Sequence, residues 1–198
     1  MAFFVYGSYS AAQGFGLVKG LLAYQHELSN QGTISINFKM EGEVSINGVK
    51  IVAKILNIPE PQISFFDPKE GSNTEITGMY LFESDEIIFN EVWIEKSPWI
   101  EVIVTAFHET RHAYQGYCIR NRTMESKDTL DKWEYETLNY IRPTGKNNEV
   151  DDHDYLNQSI EIDAIGFTHH KINEFFGVKT IIPNSIKDIA LNYQKNNL

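Results

Sequence analysis

The sequence predicts an α+β domain, and three observations carry that reading. Strand-length stretches of alternating apolar and polar residues end by Asn90, and two long segments nearly free of Gly and Pro follow, from Trp99 and from Tyr155. No repeat or low-complexity tract interrupts this order. Strands first and helices later fit a sheet, antiparallel or mixed, that supports a long helix laid against it. With 198 residues and 42% hydrophobic content the chain suits one domain with an N-terminal extension, divided here at 1–48 and 49–198.

The elements follow in chain order. Met1 to Val18 carry no charge, but the segment has neither the basic start nor the cohesive apolar core of a secretory signal. Gly7, Ser8, Ser10, Gly14 and Gly16 come too early for a membrane-spanning helix, and the glycines lack the Gly-Lys-Ser/Thr ending of a phosphate loop. Leu17 to Leu28 reads as a helix, and Thr33 to Phe38 with Val44 to Asn47 read as a hairpin across Glu41-Gly42. That helix and hairpin make up the extension 1–48. Val49 to Leu56 reads as helical, and Ile63 to Phe66 as a strand after Pro59 and Pro61. Thr77 to Phe82 and Ile87 to Asn90 alternate on either side of a polar turn, as a half-buried hairpin does.

From Trp99 to Cys118 no breaker occurs before Gly116, so one helix is expected there. A polar insertion at about 120–154 comes next. Within it Ser126 to Ile141 reads as a helix with Leu130, Trp133 and Ile141 inward, stopping before Pro143, and Gly145 to Asp154 as a loop. Such an insertion beside a site either gates access or merely connects. Tyr155 to Phe176 then reads as a second long helix, capped by Asp151 or Asp152, crossed by Gly166 and ended at Gly177.

Charge narrows the function classes. A net charge of −10 and a pI near 5.0 leave no basic footprint for nucleic acid or an anionic membrane, whereas a basic peptide would be attracted. The single cysteine, Cys118, cannot form an internal disulfide, which fits a reducing cytoplasm, and it reads as a small buried residue.

The chemistry lies in the first long helix, where Phe107 is followed by His108-Glu109-Thr110-Arg111-His112, an H-E-x-x-H pattern. One helical turn separates the histidines, so both imidazoles leave the same face and can grip one zinc ion. Glu109 is badly angled to join them as a ligand and well placed to take a proton from a water that the metal polarises. Ile103, Ala106, Phe107, Thr110, Tyr114 and Tyr117 gather on one face, and Thr105, His108, His112 and Gln115 on the other.

Catalytic zinc takes three protein ligands and leaves a position open. Two carboxylates in the second helix are candidates for the third. Asp163 shares a face with Leu156, Ile160, Ala164 and Phe167, and Glu161 points away from it, beside Gln158, Ile165 and Thr168. Only one of the two can easily face the metal, and the other would support a ligand imidazole. His153, in the loop, is a weaker candidate because a loose segment holds zinc poorly.

H-E-x-x-H followed by a glutamate on a later helix, with Ala164 three residues and Phe167 six residues after it, resembles the glutamate-zincins, especially the small ImmA/IrrE-like metallopeptidases. The resemblance spans roughly Trp99 to Phe176, with the preceding hairpin. It implies a small zincin-like domain, a Zn²⁺ cofactor held by His108, His112 and Glu161, and Glu109 as general base. The chain departs from the family in the charged Arg111, in the long interval between His112 and Glu161, and in Ile165, where many larger relatives carry Asp.

The implied activity is hydrolysis of a peptide or protein substrate, which would add as a strand along Thr77 to Phe82, with Gly78 either allowing close approach or marking a bulge. Tyr155, His169, His170 and Arg111 are all available to stabilise the oxyanion. A zinc-stabilised regulatory or interaction module on the same scaffold is the alternative from another class, since ImmA/IrrE-like proteins are associated with repressor partners. A globular protein without metal remains if the motif is accidental.

Overall fold

The computed structural model describes residues 41–68, 76–146 and 148–193. The expected helix at Leu17–Leu28, the strand at Thr33–Phe38 and most of the extension 1–48 lie outside them. The described residues form a mixed α+β fold with a small three-stranded sheet. In chain order these are α1 (Glu41–Ile55), β1 (Gln62–Phe66), β2 (Gly78–Leu81), β3 (Glu86–Asn90), α2 (Glu91–Lys96), α3 (Trp99–Asn121), α4 (Lys127–Leu138), α5 (His153–Leu156), α6 (Ser159–Phe176) and α7 (Lys187–Tyr193).

The expected strand at Val44–Asn47 is corrected: those residues belong to α1, which runs across residue 48 without a break. Val44, Ser45, Gly48, Val49 and Val52 are buried, a helical spacing that four alternating residues could not reveal. α1 packs on α3, and Gly48 permits the approach, because a Cβ there would lie 2.8 Å from that of Ala106.

The sheet order is β1-β3-β2, with β1 parallel and β2 antiparallel to β3. Thus the expected hairpin is present, and the strand at Ile63–Phe66 pairs with its second arm, Ile63 opposite Ile87 and Phe65 opposite Phe89. Asn90 ends β3 and starts α2, its side chain accepting from the Trp93 N–H at 3.0 Å and donating to the Ile76 carbonyl at 2.9 Å.

α3 is buried along both flanks because α1, the sheet and α6 surround it. The face that carries His108, His112 and Gln115 meets α6. Phe107 and Phe176 join the two helices in the main core, while Tyr155, Leu156, Ile162, Ile165, Ile182, Ile186 and Ala190 form a second cluster under α7. Gly166 serves this packing, since a Cβ there would stand 2.6 Å from the Ala190 carbonyl oxygen.

The insertion contains α4, capped by Ser126, whose hydroxyl accepts from the Thr129 N–H at 3.1 Å. α4 stops at Leu138, short of the expected Ile141, and Ile141 is exposed instead of inward. Asp151 and Asp152 do not cap the second long helix as expected. α6 begins after Gln158 with no cap from that residue's side chain, and Asp152 instead precedes the short α5. The first two N–H groups of α6 go to Glu136 of α4: its carboxylate accepts from the Ser159 N–H at 3.0 Å, the Ile160 N–H at 2.9 Å and the Ser159 hydroxyl at 2.7 Å. Among the described residues no helix is long and apolar enough to cross a membrane.

Candidate metal centre

α3 and α6 lie side by side, and their contact brings His108, His112 and Glu161 together. The two Nε2 atoms are 3.0 Å apart, and they lie 3.5 Å (His108) and 3.4 Å (His112) from the Glu161 carboxylate. Tetrahedral zinc with bonds of about 2.0–2.1 Å spaces its donors at about 3.3 Å. The imidazoles stand a little closer than that, and each faces its own oxygen of the carboxylate, His108 Oε2 and His112 Oε1; one donor atom from each of the three residues lies within 4.8 Å of the others, and two imidazoles with a carboxylate are a donor set that zinc takes. This buried cluster could hold a metal ion.

The tautomer of His112 follows from its neighbours. Gln115, three residues on and on the same face, donates its Nε2 to the Ile160 carbonyl at 2.9 Å and to Asp163 Oδ2 at 2.7 Å. Its Oε1 is thereby turned to His112 Nδ1, 2.8 Å away, and can only accept. His112 carries its proton on Nδ1, and the Nε2 lone pair faces the cluster.

Asp163 is fully engaged elsewhere. Besides Gln115 it accepts two bonds from Arg111, Nε to Oδ2 at 2.7 Å and Nη2 to Oδ1 at 2.8 Å. The Arg111 guanidinium is sandwiched between the rings of Tyr114 and Phe167, 4.2 and 5.0 Å from their centroids. Of the two candidate carboxylates, then, Glu161 joins the histidines, and Asp163 acts on His112 through Gln115. The charge at Arg111, a departure in sequence, is neutralised in the fold by Asp163. His153 is exposed, bonds Asp154 and stands apart from the cluster.

Glu161 is fully buried at 0% exposure, and both its oxygens accept phenolic hydroxyls: Oε1 from Tyr140 at 2.7 Å and Oε2 from Tyr155 at 2.7 Å. Burial alone would raise its carboxyl, but the His112 and His108 imidazoles and the Tyr155 hydroxyl outweigh it and hold the group down to about 2. Both phenols are pushed far above the ordinary tyrosine range by burial and by the Glu161 charge, and so remain donors. Burial would lower His112, yet Glu161 and Glu109 raise it.

Glu109 is 8% exposed at the edge of the cluster, where its Oε2 accepts the Tyr80 N–H at 2.9 Å. That bond fixes the orientation of β2. Because Asn90 donates to the Thr77 carbonyl and Tyr80 gives its N–H to Glu109, the β2 edge away from β3 faces α3 and the cluster. Gly78 is buried against α3, where a Cβ would meet Thr105 at 3.0 Å and Phe89 at 3.1 Å, so its small size serves packing inside the chain.

No protein-family model, no curated protein and no solved structure matches this chain.

Of the groups expected beside the oxyanion, Tyr155 reaches the cluster through Glu161, Arg111 is held by Asp163, His169 bonds the Thr180 hydroxyl at 2.8 Å, and His170 is exposed. Sequence reasoning missed Tyr140, which stands in the insertion with no motif around it. It also missed the part played by Gln115, although its i+3 spacing from His112 was a usable signal. Cys118 is buried as expected, and burial pushes its thiol up to about 11, so it is no nucleophile at neutral pH.

Proposed function

We propose that this chain is a zinc-dependent metallopeptidase of the glutamate-zincin kind, in which His108, His112 and Glu161 hold the ion and Glu109 is the general base. The observation that carries the proposal is the cluster of two imidazoles and a buried carboxylate, one donor atom from each within 4.8 Å of the others, with the Glu109 carboxylate at its rim. When bound, zinc would supply Lewis acidity, bringing the pKa of water towards neutrality and polarising a carbonyl. Glu109 is held by one oxygen at the Tyr80 N–H, which leaves the other free to take a proton from the attacking water and pass it to the leaving amine. An extended peptide would run past β2 beside Glu109, whose carboxylate holds the Tyr80 N–H. The acidic balance of the chain favours basic peptides, and its lone buried thiol suits the cytoplasm.

Elemental analysis and a peptide-library digest read by mass spectrometry test the proposal together. The parent should carry about one zinc per chain, and Glu161→Ala should lose it. Glu109→Gln should keep the zinc and lose cleavage by about 10²-fold or more. Zinc without cleavage of any peptide or protein would turn the reading to a regulatory module. Absence of zinc after reconstitution would sink it.

A further inference from the structure

Glu161 is held by two hydroxyls whose residues are far apart in sequence, Tyr140 in the insertion and Tyr155 in α5. A carboxylate has about four lone-pair sites, so with one on each oxygen given to a phenol, one remains on each oxygen, Oε2 towards His108 and Oε1 towards His112. The two phenols therefore fix the plane in which Glu161 can coordinate. What fixes the phenols is a single side chain. Gln158, buried just ahead of α6, accepts the Ile141 N–H on its Oε1 at 2.9 Å and donates its Nε2 to the Ile141 carbonyl at 2.9 Å. The same Nε2 also donates to the Tyr155 carbonyl at 3.1 Å. One amide thus ties the backbone next to Tyr140 and the backbone of Tyr155. The two rings meet edge to face, with centroids 6.2 Å apart and planes at 87°.

Tyr140 has no comparable support of its own. The residue as a whole is 41% exposed, with only its hydroxyl end enclosed at Glu161, and the nearby Leu138 and Ile141 are exposed as well. A half-exposed residue after a helix end keeps its hydroxyl on a buried carboxylate only if its backbone is pinned, and Gln158 is the pin.

We propose that Gln158 is a positioning residue of the metal centre, acting through Tyr140 and Tyr155 to orient Glu161, so that the insertion at 120–154 is a structural part of the site. This rests on the metal-holding reading of His108, His112 and Glu161, and not on hydrolysis. The role calls for an amide in particular. Glutamate would lose the donor to two carbonyls, and methionine would lose every bond while keeping the length.

The test is the zinc affinity of the full chain, by competition with a chromophoric chelator at fixed pH, with zinc as the only added ligand. Tyr140→Phe/Tyr155→Phe keeps both rings and removes both hydroxyls, and should weaken zinc binding by about 10–100-fold. Gln158→Met should weaken it by about tenfold in the parent, yet by less than about twofold in the double-phenylalanine background, because a residue that acts through others adds nothing once they are gone. The visible bands of the cobalt-substituted protein should shift in Gln158→Met and in the phenylalanine pair alike, whereas a helix merely loosened at its start would leave them in place. Unchanged affinity in the phenylalanine pair, or an equal loss from Gln158→Met in both backgrounds, overturns the proposal. A parent that takes up no zinc is a different result: it removes the metal reading itself.

Discussion

Gln115 shows how much a single side chain decides in this protein. Its amide is turned by Asp163 and by the Ile160 carbonyl, and this turn sets the proton on His112 Nδ1. Gln115→Leu should weaken zinc binding by about 10–100-fold in chelator competition while leaving most of the packing intact. The Arg111–Asp163 pair behind it is a buried ion pair, for which removal of one partner is worse than removal of both. Arg111→Met or Asp163→Leu alone should cost about 3–5 kcal/mol in urea unfolding, and Arg111→Met/Asp163→Leu distinctly less than the two losses combined. Equal additivity would mean that the pair is not coupled. At this scale the sequence was informative where spacing is covalent. His108, Glu109 and His112 lie within one helical turn, and their chemistry is readable from that turn alone. Glu161 and Asp163 could not be told apart by helix geometry, because which one faces the histidines depends on the rotation of α6 against α3, and the resemblance chose between them.

Close approach governs the elements. Gly166 faces the backbone carbonyl of Ala190 and Gly48 faces the methyl of Ala106, so both glycines are places where two helices come close, at Gly166 onto backbone itself. In an exposed helix, glycine to alanine would add up to about 1 kcal/mol of stability. Here the sign should reverse, and Gly166→Ala should lower stability by about 1–3 kcal/mol in thermal or urea unfolding, because its new methyl meets backbone and cannot be relieved by a rotamer change. A stabilised Gly166→Ala protein would show that α7 does not dock as described. These contacts also explain which elements the sequence disclosed. The hairpin, α3, α4 and α6 were legible because their patterns run long enough to separate a period of two from one of 3.6. α1 was split into strand and helix because Val44 to Asn47 alternates over four residues and Gly42 and Gly48 resemble breakers. Its helical period is visible only against α3. α7 gave no pattern at all, being short and held by Ala190, its one buried residue among those described, against Gly166 while Ile189 and Leu191 are exposed.

Across the whole molecule, the centre draws one pair of donors from α3 and the third from α6, with the insertion between them in sequence. The α+β class could be read from the order of patterns, whereas the parallel pairing of β1 with β3 and the docking of the insertion on α6 could not, since both are contacts between distant segments. Because the donors come from two helices, zinc bound to the folded chain should stabilise all of it. Saturating zinc at about 100 times its Kd should add about 2.7 kcal/mol, read as a rise in Tm that a chelator reverses, and Glu161→Ala should abolish the rise. A Tm indifferent to zinc would argue against a site shared between α3 and α6.

The cap that Glu136 places on α6 has a consequence in time. Glu161 is the third residue of α6, directly after Ser159 and Ile160, whose N–H groups are satisfied from α4 and not from the helix itself. This first turn should stay frayed during folding until α4 arrives, so the donor triangle closes late, after the rate-limiting step. Zinc should then slow unfolding and leave the refolding rate nearly untouched, as interactions absent from the transition state do. Glu136→Gln should delay capture of the metal in a stopped-flow refolding experiment. The ion would act as a latch on a finished structure, and a refolding rate that climbs with zinc concentration would show instead that it nucleates the fold.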